Sequence, residues 1–260
     1  MTSGHPAFDL TGKTAVVVGG TSGLGLAISV GLAQAGADVV ATARRKDQVE
    51  AAAAAIEKHG RRTLRLSSDV LDRPSLVTAR DAVLKEFGHI DILVNAAGIT
   101  KRGATLDFSE EDWTRILEVN ITGTLRGCQV FGAPMLERGQ GRIINIGSLS
   151  SYVGLLEVAA YGTSKSAVAG LTRALAVEWG PRGVTVNAIA PGVFRTDLNK
   201  NLLDSTERGK EFLLRTPMRR FGKLDEVAGA AVYLASDAAS FVNGEIIAVD
   251  GGFLASGVNQ

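Results

Sequence analysis

Cysteine, histidine, aromatic side chains and net charge are all scarce in this chain of 260 residues. Each shortage removes a class of function. A single cysteine, Cys128, rules out an internal disulfide and any cysteine-cluster metal site. The histidines, His5, His59 and His89, are scattered through polar or loop-like stretches, which argues against a histidine-based metal centre. A net charge of +1 gives no bulk electrostatic drive toward nucleic acid. No apolar run reaches the ~18 residues that a membrane-spanning helix needs. The short polar stretch from Met1 to Asp9 does not look like a secretory signal. The expectation is a soluble, cytoplasmic protein with no metal, membrane or nucleic-acid partner.

What is present is small and aliphatic. Apolar residues make up 45% and aromatics only 5%, with 31 glycines and long alanine and valine stretches. That mix suits helices packed closely on a sheet. Short apolar runs read as buried parallel strands at Ala15 to Val18, Val39 to Thr42, Leu64 to Leu66, Ile92 to Val94, Ile143 to Ile146, Val184 to Ile189 and Ile246 to Val249. Helical stretches alternate with them: Gly23 to Ala35, Lys46 to Lys58, Pro74 to Phe87, Glu110 to Glu137, Ala159 to Trp179 and Asp225 to Leu234. This alternation predicts an α/β fold, a doubly wound sheet of seven parallel strands with helices on both faces. Residues 1–8 read as a tail and 9–260 as one domain. One long irregular segment, 191–221, reads as a substrate lid.

Two groups of residues carry chemistry. Gly19-Gly20-Thr21-Ser22-Gly23-Leu24-Gly25 lies between the first strand and the first helix. Glycines there permit a tight turn and close approach of a pyrophosphate to backbone N–H groups. The spacing differs from the Gly-x-Gly-x-x-Gly of the usual dinucleotide fingerprint. Tyr161 and Lys165 stand four apart on a helix, which brings them to one face. The cation is expected to lower the phenol pKa and so make it a proton shuttle.

The glycine turn, Asn95-Ala96-Ala97-Gly98, Asn120, Ser148, Tyr161-x-x-x-Lys165 and Pro191-Gly192 occur in one order and spacing. In this the chain resembles the short-chain dehydrogenase/reductase family from about Phe8 onward. Val18 and Ala96 depart from the common pattern, which has threonine and asparagine there. The resemblance implies a single-domain Rossmann fold and a catalytic tetrad of Asn120, Ser148, Tyr161 and Lys165. Tyr161 would be acid or base, and Ser148 would hydrogen-bond the substrate oxygen. Lys165 would hold the nicotinamide ribose, and Asn120 would anchor a relaying water. Cofactor contacts are implied at Gly19, Thr21, Ser22, Gly23, Leu24, Gly25, Asp69, Val70, Asn95, Ala96, Gly98, Tyr161, Lys165, Pro191, Gly192, Val193 and Thr196.

Cofactor preference follows from the end of the second strand. Enzymes that use NAD place a carboxylate there, whereas this chain has Ala43-Arg44-Arg45 and keeps Asp38 at the strand's start. Arg44 and Arg45 suit a 2′-phosphate, so NADP is expected over NAD. Lys101, Arg102 and Arg195, or none of them, would meet an anionic substrate, with further contacts from Ser150 to Glu157. The chain is similar both to gluconate-type sugar-acid dehydrogenases and to 3-oxoacyl-carrier-protein reductases. The latter carry basic residues on the two long helices, where this chain has Ala133 and Val177. A small-molecule carbonyl or alcohol substrate of the sugar or sugar-acid kind is therefore the main reading. A regulator that binds NADP(H) without turnover fits less well, because such proteins tend to lose the tyrosine or the lysine. The resemblance also implies a homotetramer.

Overall fold

In the computed structural model, which describes residues 5–196 and 200–257, the alternation becomes one parallel sheet. Its strands are β1 (Thr14–Val18), β2 (Asp38–Thr42), β3 (Ile92–Asn95), β4 (Gly141–Ile146), β5 (Val184–Pro191) and β6 (Ile246–Val249). They run in the order β2-β1-β3-β4-β5-β6. The order reverses between β1 and β3, which opens a crevice at the carboxyl ends of these strands. The helices are α1 (Gly23–Gln34), α2 (Lys46–Glu57), α3 (Arg73–Phe87), α4 (Glu110–Leu117), α5 (Gly123–Arg138), α6 (Ala159–Trp179), α7 (Lys200–Leu203), α8 (Glu207–Arg215) and α9 (Leu224–Ala235).

Period-two alternation divides the strand side chains between two cores. Ala15, Val17, Val39 and Ile144 meet Ile28 and Leu32 of α1, Ile56 of α2 and Val227 and Leu234 of α9. Val16, Val18, Val40 and Ile143 meet Leu76 of α3, Phe131 of α5 and Trp179 of α6. Both faces of the sheet are therefore covered, and β1 is buried along its whole length.

Two expectations need correction. Residues 63–67 form no strand ladder, so the sheet has six strands and the segment touches it through a single bridge, Ala43 to Ser67. Val39 N–H donates to Arg62 O at 3.1 Å and Ser68 N–H to Ala43 O at 3.1 Å. Between these ends the segment is held by side chains: Arg62 on Asp38, and Arg65 on Glu50 and Glu57. The single helix expected over Glu110 to Glu137 is interrupted by a π-turn at Glu118–Thr122. Such a turn displaces one residue from the regular i→i−4 ladder and is frequent at functional sites.

A buried polar chain ties the second core together. Asn95 Nδ2 donates to Asn145 Oδ1 at 2.9 Å and to Cys128 Sγ at 3.3 Å, and Asn145 Nδ2 donates to Thr172 Oγ1 at 3.0 Å. These residues link β3, β4, α5 and α6 in one satisfied network. Burial pushes the Cys128 thiol up to about 12, so it stays a neutral packing group. Asn145→Ala removes the oxygen acceptor of Asn95 Nδ2 and the donor to Thr172 Oγ1 and is expected to cost about 1–3 kcal/mol in chemical denaturation. A loss near zero would show that the network contributes no stability.

Candidate active site

The glycine turn is built by contacts that admit no side chain. Gly19 has φ +81°, and a Cβ there would lie 2.5 Å from Ala97 N. A Cβ on Gly25 would lie 2.1 Å from Gly19 O. Ser29 of α1, fully buried, donates to Gly20 O at 3.0 Å and Gly25 O at 2.9 Å and fastens the turn from below. Nothing in the sequence separated Ser29 from any other helix serine. Ser22 caps α1 in extended backbone without a side-chain bond to the helix, leaving the first N–H groups of α1 directed at the crevice. Thr21 is buried, with Oγ1 3.4 Å from Gln48 Oε1. Across the crevice the Thr196 methyl would lie 3.9 Å from a Cβ on Gly23.

Ser148, Tyr161, Lys165 and Asn120 come together where β4, α6 and the π-turn meet. Ser148 caps a short 3₁₀ turn, Leu149–Ser151, and its Oγ accepts the Ser150 N–H at 3.1 Å. That bond leaves the Ser148 hydroxyl hydrogen free to turn toward the Tyr161 phenol, whose pKa the serine pulls down. Lys165 Nζ donates to Ile146 O at 2.7 Å and lies 5.7 Å from the Tyr161 ring centroid. Gly98 closes the group: a Cβ there would be 3.4 Å from Asn120 Oδ1 and 3.6 Å from Lys165 Nζ.

The Asn120 side chain is held on both sides. Its Oδ1 accepts Ile99 N–H at 2.8 Å, and its Nδ2 donates to Ile99 O and Ser164 Oγ, both at 2.9 Å. The amide is thus engaged in fixing the fold. Ser164, which sequence reasoning passed over, donates in turn to Tyr161 O at 2.7 Å. A helix-interior serine one residue before a lysine carries no signal of that bridge.

The expected direction of the tyrosine shift also needs correction. Burial pushes the Tyr161 phenol above its ordinary value of 10, against the smaller downward pull of the Ser148 hydrogen bond. The Lys165 cation is itself withdrawn from water and falls to about 8. Desolvation disfavours both charged forms and outweighs the attraction between them.

The other expected contact residues differ in their surroundings. Ala96 and Gly98 follow β3 along the crevice, with Ala96 N–H donating to Val18 O at 2.8 Å. Asn95 belongs to the internal network, so its amide does not face the crevice. Asp69 lies beyond the Ser67 bridge rather than at a strand end, and its Oδ1 accepts Leu71 N–H at 3.0 Å. Val70 is buried beside Gly123, and its carbonyl accepts from Arg126 at 3.1 Å. Leu24 is half-buried in the first turn of α1. Pro191 ends β5, Gly192 abuts Asp250, and Val193 O accepts Gly222 N–H at 2.9 Å. Arg44 and Arg45 are exposed just past β2 and form no ion pair among the described residues. Asp38, at the far end of that strand, is held by Arg62 at 2.8 Å.

Comparison with known proteins agrees with this architecture. The family profile described as "Enoyl-(Acyl carrier protein) reductase" matches residues 18–254. The 2-dehydro-3-deoxy-D-gluconate 5-dehydrogenase of Bacillus subtilis is 44% identical over 250 residues, 96% of this chain and 98% of that one. Gluconate 5-dehydrogenase of Gluconobacter oxydans is 37% identical over 253 residues, 97% and 99% of the two chains. The crystal structure of a gluconate 5-dehydrogenase from Burkholderia cenocepacia, in complex with NADP and tartrate, is similar at a TM-score of 0.92. It shares 36% identity and covers 96% of this chain and 98% of that chain. The chain belongs to the short-chain dehydrogenase/reductase family and is an oxidoreductase. No helix among the described residues is long and apolar enough to cross a membrane.

Withdrawal of Lys165 from water has a consequence for stability. Between about pH 8 and 10.5 the unfolded chain keeps the Lys165 proton that the folded chain has released, so stability from this group rises with pH. Above about pH 10 Tyr161 acts in the opposite sense, because the unfolded chain loses that proton first. Lys165→Met is therefore expected to stabilise the unliganded protein most below pH 8, by about 3 kcal/mol. Denaturation at several pH values should show that advantage shrinking toward pH 10. A constant difference would contradict the burial argument.

Proposed function

We propose that the chain transfers a hydride between NADP(H) and a secondary carbon of a sugar acid. The observation that carries this reading is the Ser148–Tyr161–Lys165 group set beside a glycine turn that can admit a pyrophosphate. The named activities of the Bacillus and Gluconobacter relatives, and the NADP and tartrate held by the Burkholderia relative, support the substrate and cofactor class.

The residues fit NADP(H). Gly19, Gly23 and Gly25 leave room for the pyrophosphate, beside Thr21, Ser22 and Leu24 at the amino end of α1. Arg44 and Arg45 stand where a 2′-phosphate would lie and have no competing carboxylate. Pro191, Gly192, Val193 and Thr196 flank the nicotinamide side, with Ala96 and Gly98 opposite. Asp69 and Val70 would border the adenine through backbone and apolar surface, and Asn95 would act only through the sheet it holds. Bound NADPH supplies the hydride.

In reduction, the Tyr161 phenol gives its proton to the substrate oxygen as negative charge builds there, and in oxidation it takes that proton back. Its raised pKa keeps it protonated and ready to give. Ser148 donates to the same oxygen. Lys165 orients the ribose end of the cofactor, and its charge favours the phenolate once the phenol has given its proton. Asn120 acts by position, joining Ile99 to α6 through Ser164. The segment 191–221 acts as the lid, of which residues 197–199 lie outside the described residues.

The matching family profile carries the name of a carrier-protein reductase. The carrier reading is less well supported, because Ala133 and Val177 place no cation where an acidic carrier would dock. A homotetramer and a cytoplasmic setting belong to the same proposal. Val177 on α6 and Phe241 beyond α9 present large apolar side chains to solvent, as a subunit interface requires, and Cys128 is a buried free thiol, as a reducing compartment permits.

Tyr161→Phe is expected to lower kcat at least about 10²-fold while leaving NADPH affinity nearly unchanged. Steady-state rates on gluconate-type substrates and a fluorescence titration of NADPH test it, and retained turnover would overturn the assignment. Arg44→Ala is expected to lower kcat/KM with NADP about tenfold or more and to leave NAD little changed, the loss of one charge-assisted phosphate contact. Equal loss with both cofactors would refute a 2′-phosphate contact.

A further inference from the structure

The cations first considered for an anionic substrate are mostly neutralised. Lys101 pairs with Asp112, Arg195 with Asp204, and Arg102 with Glu157. A different arginine meets the segment that leads to Tyr161. Arg208, in the first turn of α8, donates to Leu156 O at 3.1 Å and stacks over Phe212, with its guanidinium carbon 5.5 Å from the ring centroid. Its Nε is buried and has no hydrogen-bond partner.

The surroundings of Arg208 are electrostatically unbalanced. Arg102 and Arg208 are close enough to repel, and Glu157 is ion-paired with Arg102 while attracting Arg208 only weakly. Desolvation, and then that repulsion, depress the Arg208 pKa against weaker attraction from Glu157 and exposed Glu211. Glu157 holds this position in left-handed backbone, φ +62°, unusual for a residue with a side chain. Strain of that kind persists only where the surroundings enforce it. They do so here, because Gly103 N–H donates to Glu157 O at 2.9 Å and fastens the Arg102 loop to the approach of α6.

Placement connects the cluster to the reaction. Leu156 and Glu157 lead directly into α6, whose first turn carries Tyr161. Four peptide steps separate Glu157 from Tyr161, so their Cα atoms lie at most about 15 Å apart. Arg208 is held firmly against this segment. Thr206 Oγ1 caps α8 by accepting Gly209 N–H at 3.0 Å, and a Cβ on Gly209 would lie 1.9 Å from Leu203 O. A linear hydroxy acid with its reacting carbon at Tyr161 can extend its carboxylate toward this segment.

We propose that Arg208 anchors the substrate carboxylate, and that Glu157, ion-paired with Arg102, is a neighbouring negative charge against which the substrate's carboxylate must bind. This rests on the sugar-acid reading above and adds the residue that recognises the acid. A guanidinium whose buried Nε lacks an acceptor gains most from a ligand that brings two oxygens. The two arginines then face one carboxylate each.

The test compares D-gluconate with D-sorbitol, which has the same carbon chain and a hydroxymethyl group in place of the carboxylate. Arg208→Ala is expected to raise KM or Kd for gluconate about 10- to 100-fold, the loss of a charge-assisted contact, with sorbitol unaffected. Arg208→Lys should fall between, since it keeps the charge but not the fork. Glu157→Gln should act in the opposite direction and tighten gluconate binding severalfold, which a merely structural role for the pair would not produce. Calorimetric titration of gluconate into the NADP(H) complex gives the same comparison without turnover. Equal losses on both ligands in Arg208→Ala, or weaker gluconate binding in Glu157→Gln, would overturn the proposal. Wild-type protein that neither binds nor oxidises gluconate would overturn the sugar-acid reading and this inference together. Wild-type activity on gluconate that survives Arg208→Ala unchanged would overturn this inference alone.

Discussion

Lys165 places a primary amine where almost no water reaches it, and the elements around it are arranged to hold it there. Its one described hydrogen bond goes to Ile146 O, at the carboxyl end of β4. That bond fixes how far α6 can shift along the sheet and so where the first turn of α6, with Tyr161, stands relative to Ser148. The cost of withdrawing a cation from water is visible in its depressed pKa. Apolar packing of α6 against β5 and the Asn145–Thr172 bond offset that cost. The stability surrendered at Lys165 keeps an amine within reach of a phenol in a site of low dielectric, where electrostatic effects on a reacting oxygen are strongest.

The same constraint explains why the π-turn lies where it does. A regular helix from α4 through α5 would carry the Asn120 side chain round a different angle. With the extra residue in the turn, Asn120 reaches Ile99 on one side and Ser164 on the other. It thereby joins the strand that flanks the glycine turn to the helix that bears Tyr161 and Lys165. Through this bridge the cofactor side of the crevice and the proton-transfer side are set by one side chain. The Asn95–Asn145–Thr172 chain does the same a layer deeper, between β3, β4 and α6.

Much of this was legible in the sequence. The apolar runs of Val16 to Val18 and Ile143 to Ile146, each followed by a helical stretch, sufficed for a parallel sheet, and the glycine turn located its switch point. Tyr161 and Lys165 met on one helix face as their spacing requires. What was not legible depends on three-dimensional context. Leu64 and Leu66 have the composition of a strand, but Arg62 and Arg65 find carboxylates on neighbouring elements, and the segment is held by side chains instead of by a ladder. The π-turn leaves no mark in a helical pattern. The sign of the Tyr161 shift was missed because spacing reveals a neighbouring cation and not the loss of water from both groups.

Charge pairing followed the same rule. Lys101, Arg102 and Arg195 stood out in the sequence by their nearness to the site, yet each meets a carboxylate that the fold delivers from elsewhere: Asp112 from α4, Glu157 from the approach to α6, Asp204 from the end of α7. Arg208 stood out by nothing. It belongs to a short amphipathic helix in which a charged residue is ordinarily a solvated one. Its partial burial arises because α8 lies against the strap of Leu156 and Glu157, two contacts far apart in sequence. A cation becomes a recognition element only when the fold withholds its counter-ion, and that is a property of the assembled structure, not of the residue.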